Sequence, residues 1–421
     1  MAHVAPSPRA GTSRRLLAIT AIVCAAATAA GVILLWPGDV PQGGLQDSAS
    51  IGPAFDAEVR SVEEGSCGAS PDPSAPDCIL LSVKLLSGPE TGDEAELEFP
   101  SSSPLGGFDV GDRITVARSA GEGAPRYSYV DRDRKSTLLF LSLAFALAVV
   151  ALGRLRGFMA LLGLAASVVV ILRFILPAVL AGESPVAVAI VGSSVIAFLA
   201  LYLAHGFGPL TTVALLGTLA SLVITLALSE LFTGLAGFTG FTGEESFFLN
   251  LGAGQVDLRG LVLAGVIIGA LGAIDDMTVT QASTVWELHR ADPAMPSREL
   301  FGAAMRVGRD HVASTVNTLF LAYAGASLPL LLLFVLADRS FVSVANGEVV
   351  AVEIVRTLVG SIGLVASVPI TTALAAVSLG RIGAGWRGGG DTILESDEGT
   401  PVGPPERAWM PERRRDLWRR R

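Results

Sequence analysis

Two adjacent carboxylates, Asp275 and Asp276, stand in a stretch that is otherwise small and apolar, from Gly265 to Glu287. Read as a helix, its second half sets Asp276, Thr280, Ser283 and Glu287 at steps of +4, +3 and +4, which is one polar stripe. Its first half sets Gly265, Gly269 and Ala273 at four-residue steps, with Gly272 beside them. Such a small-residue face lets a second helix pack closely. An ionisable group at membrane depth is costly and is a functional candidate by default. The chemistry open to it is uptake and release of a proton or a small cation. Asp276 heads the stripe and is the first candidate. Asp275 points elsewhere on the helix; it is either the true ionisable group or the second half of a carboxylate pair. The competing reading is a structural hydrogen-bond cluster that locks neighbouring helices together.

Depth arithmetic names the partners. If the helix enters at Leu261, Asp276 lies about 22 Å along it at ~1.5 Å per residue. A following helix rising from Val312 puts Asn317 and Thr318 about 8 Å in from its start, and a last helix from Leu358 brings Thr371 and Thr372 to a similar level. These residues are expected to form one polar layer with Asp276 and Thr280.

The elements that must position this layer are long apolar segments. Of the 421 residues 51% are hydrophobic and 16% charged, with a mean hydropathy of +0.57; soluble chains carry about 25% charged residues. Eight apolar runs long enough for a ~30 Å hydrocarbon core are expected at 16–36, 136–152, 158–180, 186–203, 210–231, 261–285, 312–336 and 358–379. The fold class this implies is an α-helical polytopic membrane protein of about eight transmembrane helices, its first run an uncleaved anchor. Residues 232–260, rich in Gly, Phe and Thr, read as a plain loop or a re-entrant segment. Pro177, Pro329 and Pro369 are expected to kink their helices.

Arginine distribution orients the chain. Arg154 and Arg156, then Arg290, Arg298, Arg306 and Arg309, then the Arg413–Arg421 tail fall on one side if the N-terminus is cytoplasmic, while the other side's loops within the helical body hold only Arg259, Arg339 and Arg356. The reading is a multi-pass protein of the cell membrane with both termini in the cytoplasm. Its parts are an arm at 1–15, the anchor at 16–36, an external segment at 37–135, a seven-helix body at 136–379 and a cytoplasmic tail at 380–421.

The external segment differs in kind. It holds eighteen Asp/Glu against eight Lys/Arg between Asp39 and Lys135, which accounts for the whole net charge of −9. Short alternating runs at 57–62, 78–85, 95–99, 113–118 and 126–130 read as strands, with turns at Ser87–Asp93 and Gly111-Asp112. About five short strands in under 100 residues suggest a small β-rich, OB-like domain. Cys67 and Cys78 flank a Pro/Ser/Asp-rich loop and could close it as a disulfide in an oxidising compartment.

This charge balance excludes a basic nucleic-acid binder. The chain has no G-x-x-x-x-G-K-[ST] loop, no H-E-x-x-H and no Cys/His cluster with metal spacing. No catalytic residue, metal or cofactor is therefore expected, and the chain is not read as an enzyme. The partners expected are the lipid bilayer and either an envelope protein or further copies of the chain.

Particular residues resemble those of the bacterial YibE/YibF-like membrane protein family. They are Gly269-x-x-Gly272-Ala273-Ile274-x-Asp276 running to Glu287-Leu288, then Asn317-Thr318-Leu319-x-Leu321-Ala322-Tyr323-x-Gly325, and Tyr129-x-Asp131-x-x-Arg134. The resemblance covers roughly 55–380 and implies a permease-like membrane protein, with Asp276 as the position carried over. The same stretch is similar, more weakly, to the proton-relay region of resistance–nodulation–division exporters, which favours proton coupling over a passive pore. Two functions follow: a proton- or cation-coupled transporter or export accessory, or a non-transporting scaffold or sensor whose external domain binds an envelope partner.

Overall fold

A computed structural model describes residues 8–38, 53–66, 77–101, 107–119, 126–336 and 340–383. Helix α1 (Pro8–Leu34) is followed by five strands, β1 (Ala54–Ser66), β2 (Asp77–Leu85), β3 (Glu94–Pro100), β4 (Arg113–Arg118) and β5 (Tyr127–Arg132). All neighbouring strands are antiparallel, in the order β3-β2-β1-β4-β5. The strands lie where alternation of apolar residues places them. Ala57, Val59, Leu81, Val83, Leu97, Phe99, Ile114 and Val116 are buried, and the residues between them in each strand are more exposed. The expected turns are present too, with Gly88, Gly92 and Gly111 all at positive φ, where other residues are strained.

Curling follows from β1. Its first half pairs with β4, and its stretch from Ala57 to Ser66 pairs with β2; the register to β2 slips between Val59 and Ser61. One extra residue at this bulge bends a strand and raises its twist. The sheet's two edges then meet through side chains. Phe99 of β3 and Tyr129 of β5 stand edge to face at 5.6 Å, and Phe108 lies 5.5 Å from each. Beyond β5, Arg134 Nη1 donates to Asp131 Oδ1 at 2.7 Å. That bond, then the Arg132 backbone N–H, holds Asp131 below its ordinary carboxylate range.

The helical body comprises α2 (Lys135–Val170), a π-helical turn at Ile171–Ile175, α3 (Leu176–Leu180), α4 (Pro185–His205), α5 (Pro209–Ala236), α6 (Glu244–Gly252), α7 (Leu258–Ala291), α8 (Ser297–Ala326), α9 (Leu328–Leu336), α10 (Phe341–Ala345) and α11 (Glu348–Gly383). Among the described residues six helices are long and apolar enough to cross a membrane, or seven if α8 and α9, bent by 58° at their junction, count as one span. The expectation of eight separate runs differs from this for an identifiable reason. Lys135–Leu180 is continuous in apolar character over 46 residues, about 69 Å at ~1.5 Å per residue. Its backbone breaks at Arg154 (φ 51°, ψ −131°). The kink there is tight: a Cβ on Gly157 would strike the Val149 carbonyl oxygen, so the helix axis breaks between the segments expected at 136–152 and 158–180.

Other boundaries move. Residues 232–260 contain the end of α5 and the nine-residue α6, which is too short to cross a bilayer. The run expected at 312–336 starts fifteen residues earlier, at Ser297, and breaks next to Pro329. The last helix begins at Glu348, so Arg356, expected in a loop, lies inside α11 with Glu353. Pro177 follows the π-helical turn and Pro369 sits within α11; both positions leave backbone groups that a regular helix would pair.

Helices α5, α7 and α11 pack against one another and form the centre of the body, with α4 against α7 and α8 against α11. Their shared core includes Leu215, Leu222, Ile267, Ile274, Met277 and Leu364. By contrast α1 and the first part of α2 leave most of their apolar side chains uncovered, including Leu138 to Leu141.

Candidate functional site

The middle of α7 carries a polar cluster, and it forms on the face opposite to the one headed by Asp276. Asp275 is the midpoint of the 34-residue helix, about 25 Å from either end at ~1.5 Å per residue. It is partly buried, and its Oδ1 is buried without a hydrogen-bond partner among the described residues. Asp276, one residue on and 100° around the helix, is exposed.

The residues that join Asp275 are Thr278 and Gln281, three and six positions further along α7, and both are buried. Thr278 Oγ1 donates to the Asp275 carbonyl oxygen at 2.9 Å and lies 2.7 Å from Thr218 Oγ1 of α5. The Thr218 side chain also interacts with the Asp275 carboxyl. Gln281 spends both amide hydrogens on neighbours. Nε2 donates to the Ala304 carbonyl oxygen of α8 at 3.0 Å and to Thr372 Oγ1 of α11 at 2.7 Å. Four helices therefore meet around one level of α7.

On α5 the hydroxyls of Thr218, Ser221 and Thr225 are buried and bond back to carbonyls four residues earlier, the local solution that keeps a hydroxyl satisfied inside a helix. Ser229, on the same stripe, is buried with no partner. Ser193 of α4, and Ser361 and Thr371 of α11, are likewise buried and unpartnered. Native proteins leave few such groups, and each calls for an explanation.

Of the expected layer, Thr371 and Thr372 are fully buried at this level. Thr280 is partly buried, whereas Asn317 and Thr318 are exposed. Thr318 Oγ1 bonds within its own helix, to the Ser314 carbonyl oxygen at 3.0 Å. Glu287 is exposed and pairs at 3.2 Å with Arg290.

The small residues of α7 do a different job from close helix packing. A Cβ on Gly265 would stand 3.2 Å from Arg356 Nη2 and one on Gly269 2.9 Å from the Tyr323 hydroxyl, while Gly272 faces open space and Ala273 packs at the edge of the core. The glycines make room for a guanidinium and a phenol. Close helix approach occurs elsewhere: Gly217 of α5 against Thr371, Gly363 of α11 against Thr225, and Gly308 of α8 against Val368 and Gln281. None of these glycines was among the expected site residues, nor were Thr218, Ser221, Thr225 and Ser229, which at +3, +4 and +4 in an apolar run carry the same signal as the stripe on α7.

Of the expected cysteine pair, Cys78 is buried in β2, and Cys67 lies outside the described residues. Among the described residues no three His, Cys, Asp or Glu side chains converge as a metal site would need.

The body is thus a bundle of long apolar helices with a carboxyl group, an amide and several hydroxyls at its centre. The profile of the YibE/F-like protein family matches residues 141–381, more than half of the chain, and the chain belongs to that family. The match begins beyond the β-sheet, so Tyr129, Asp131 and Arg134 lie outside it. No curated protein and no solved structure matches the chain.

Proposed function

We propose that this is a multi-pass protein of the cell membrane that couples movement of a proton or small cation to transport or export, with Asp275 as the coupling group. The observation that carries the reading is the buried, unpartnered Oδ1 of Asp275 at the midpoint of α7, in a carboxyl that has the Thr218 side chain of α5 beside it. A carboxyl oxygen in that position is costly unless something meets it, and a proton, a small cation or a water molecule would. Bare hydroxyls at Ser193, Ser229, Ser361 and Thr371 would serve the same visitor along its way. Asp276 faces outward and is assigned no coupling role.

The membrane reading draws support from the uncovered apolar side chains of α1 and α2, which in water would make a patch far larger than soluble proteins expose. With the kink at Arg154 read as the turn between two crossings, and α8 and α9 read as one bent crossing, eight crossings with both termini cytoplasmic agree with the arginine distribution. The sheet would then be external. Its strand order, closed by the contact of β3 with β5, runs β1-β2-β3-β5-β4, which is the circuit of an OB-like barrel.

The test is proton uptake or release by purified protein in liposomes under a pH gradient. Flux is expected in the wild type and in Asp276→Asn, and is expected to be lost in Asp275→Asn at equal insertion. Flux that survives Asp275→Asn and disappears in Asp276→Asn would reverse the assignment.

A further inference from the structure

A second site lies away from Asp275. The end of α8, the bent-off α9, α10 and the first turns of α11 line an open cleft of about 500 Å³, with Phe341 82% exposed at its edge, within the ~300–1,000 Å³ of pockets that hold drug-sized ligands. Its wall is mainly apolar, and four aromatic rings contribute to it: Phe320 and Tyr323 from α8, Phe334 from α9 and Phe341 from α10. Among the described lining residues the only charged one is Glu353. Its Oε1 accepts from Arg356 Nη1 at 2.7 Å. Arg356 itself does not line the cavity; its guanidinium rests against Gly265 of α7.

These facts select a ligand chemistry. Aromatic faces and a carboxylate both attract positive charge, and the apolar wall requires a bulky hydrophobic body around it. An anion would meet no positive charge among the described lining residues: Thr357 already spends its hydroxyl on the Glu353 carbonyl oxygen at 2.8 Å, which leaves only the neutral hydroxyls of Tyr323 and Ser327. A lipid tail would fill the space but make no use of Glu353, and would leave a half-buried ion pair against hydrocarbon. We propose that this cavity binds lipophilic organic cations, seated among the aromatic rings and oriented by Glu353. The proposal does not depend on proton coupling at Asp275, since binding requires no gradient.

Tetraphenylphosphonium is the probe, with tetraphenylborate, an anion of nearly the same shape, as its control. Equilibrium binding of the labelled cation to the purified full-length protein in detergent, at one pH and without a gradient, is expected to saturate at one site per chain. Glu353→Gln is expected to weaken it by about tenfold or more. Ala324→Phe, which fills the cavity and leaves the ion pair in place, is expected to weaken it as much. Tetraphenylborate is expected neither to bind saturably nor to compete. Equal binding of the borate would overturn the reading of Glu353. Wild-type affinity in the Ala324→Phe protein would overturn the site, and so would a co-purifying lipid that the cation cannot displace. If Glu353→Gln does not fold, the cavity-filling variant and the pair of probes decide the matter alone.

Discussion

Asp275 and Asp276 are neighbours in the chain, and one step of ~100° around the helix separates a group facing the bundle from one facing out. The same step decides the fates of the residues around them. Gln281 stands outside the stripe headed by Asp276, and its amide bridges α7 to both α8 and α11. Replacing it by leucine removes two hydrogen bonds and leaves the Ala304 carbonyl oxygen without a side-chain donor. Interhelical hydrogen bonds in membrane bundles contribute about 0.6 kcal/mol on average and up to about 1.7, so Gln281→Leu is expected to cost about 1–3 kcal/mol. A lowered melting temperature of the detergent-solubilised protein reads this directly, and an unchanged one would show that the bridge contributes nothing. The candidate site was half legible at this scale: the sequence marks the pair of carboxylates, but a helix apolar nearly all round has no face that announces the core.

Helices α5 and α11 show how elements, rather than single groups, set the geometry. Gly217 receives Thr371, and Gly363 receives Thr225, so that each helix offers a notch to the other's threonine. A methyl group at Gly217 would fall on Thr371 Oγ1. Overpacking of a well-filled core costs about 1–3 kcal/mol, and Gly217→Ala is expected to destabilise by that amount. Thr371→Ala should restore part of it, because the atom in the way is gone. Thermal unfolding of both single variants and of the double variant measures the coupling; additive losses would mean that the seam does not act as a unit. The α7 glycines were legible as a small face, and the sequence could not say that their neighbours would be Arg356 and Tyr323 in place of another backbone.

Among the described residues the sheet and the bundle have separate cores. The core of the sheet is drawn entirely from residues between Phe55 and Tyr129, and the core of the bundle takes no residue from the sheet. Two unfolding transitions are expected in calorimetry or denaturant titration, with Trp36, beside Phe174, and Trp286, packed on the core of the bundle, following the bundle. A single cooperative transition would show that the two cores are energetically one. The division was visible beforehand in composition, since an acidic, turn-rich stretch with period-2 alternation interrupts a succession of apolar runs.

By itself the sequence determined the strands, their glycine turns and the approximate course of the long helices, because those depend on local periodicity and on runs of apolar residues. Family membership was also carried by local strings, from Gly269 to Glu287 and from Asn317 to Gly325. Tertiary structure alone decided which carboxylate faces inward, where the 46-residue apolar run breaks, and that α11 starts early enough to bring Glu353 to a cleft beside α8, α9 and α10. The reason is physical. Chain-local forces set pitch and length, whereas helix rotation and kink position are settled only by side chains from distant segments competing for the same space.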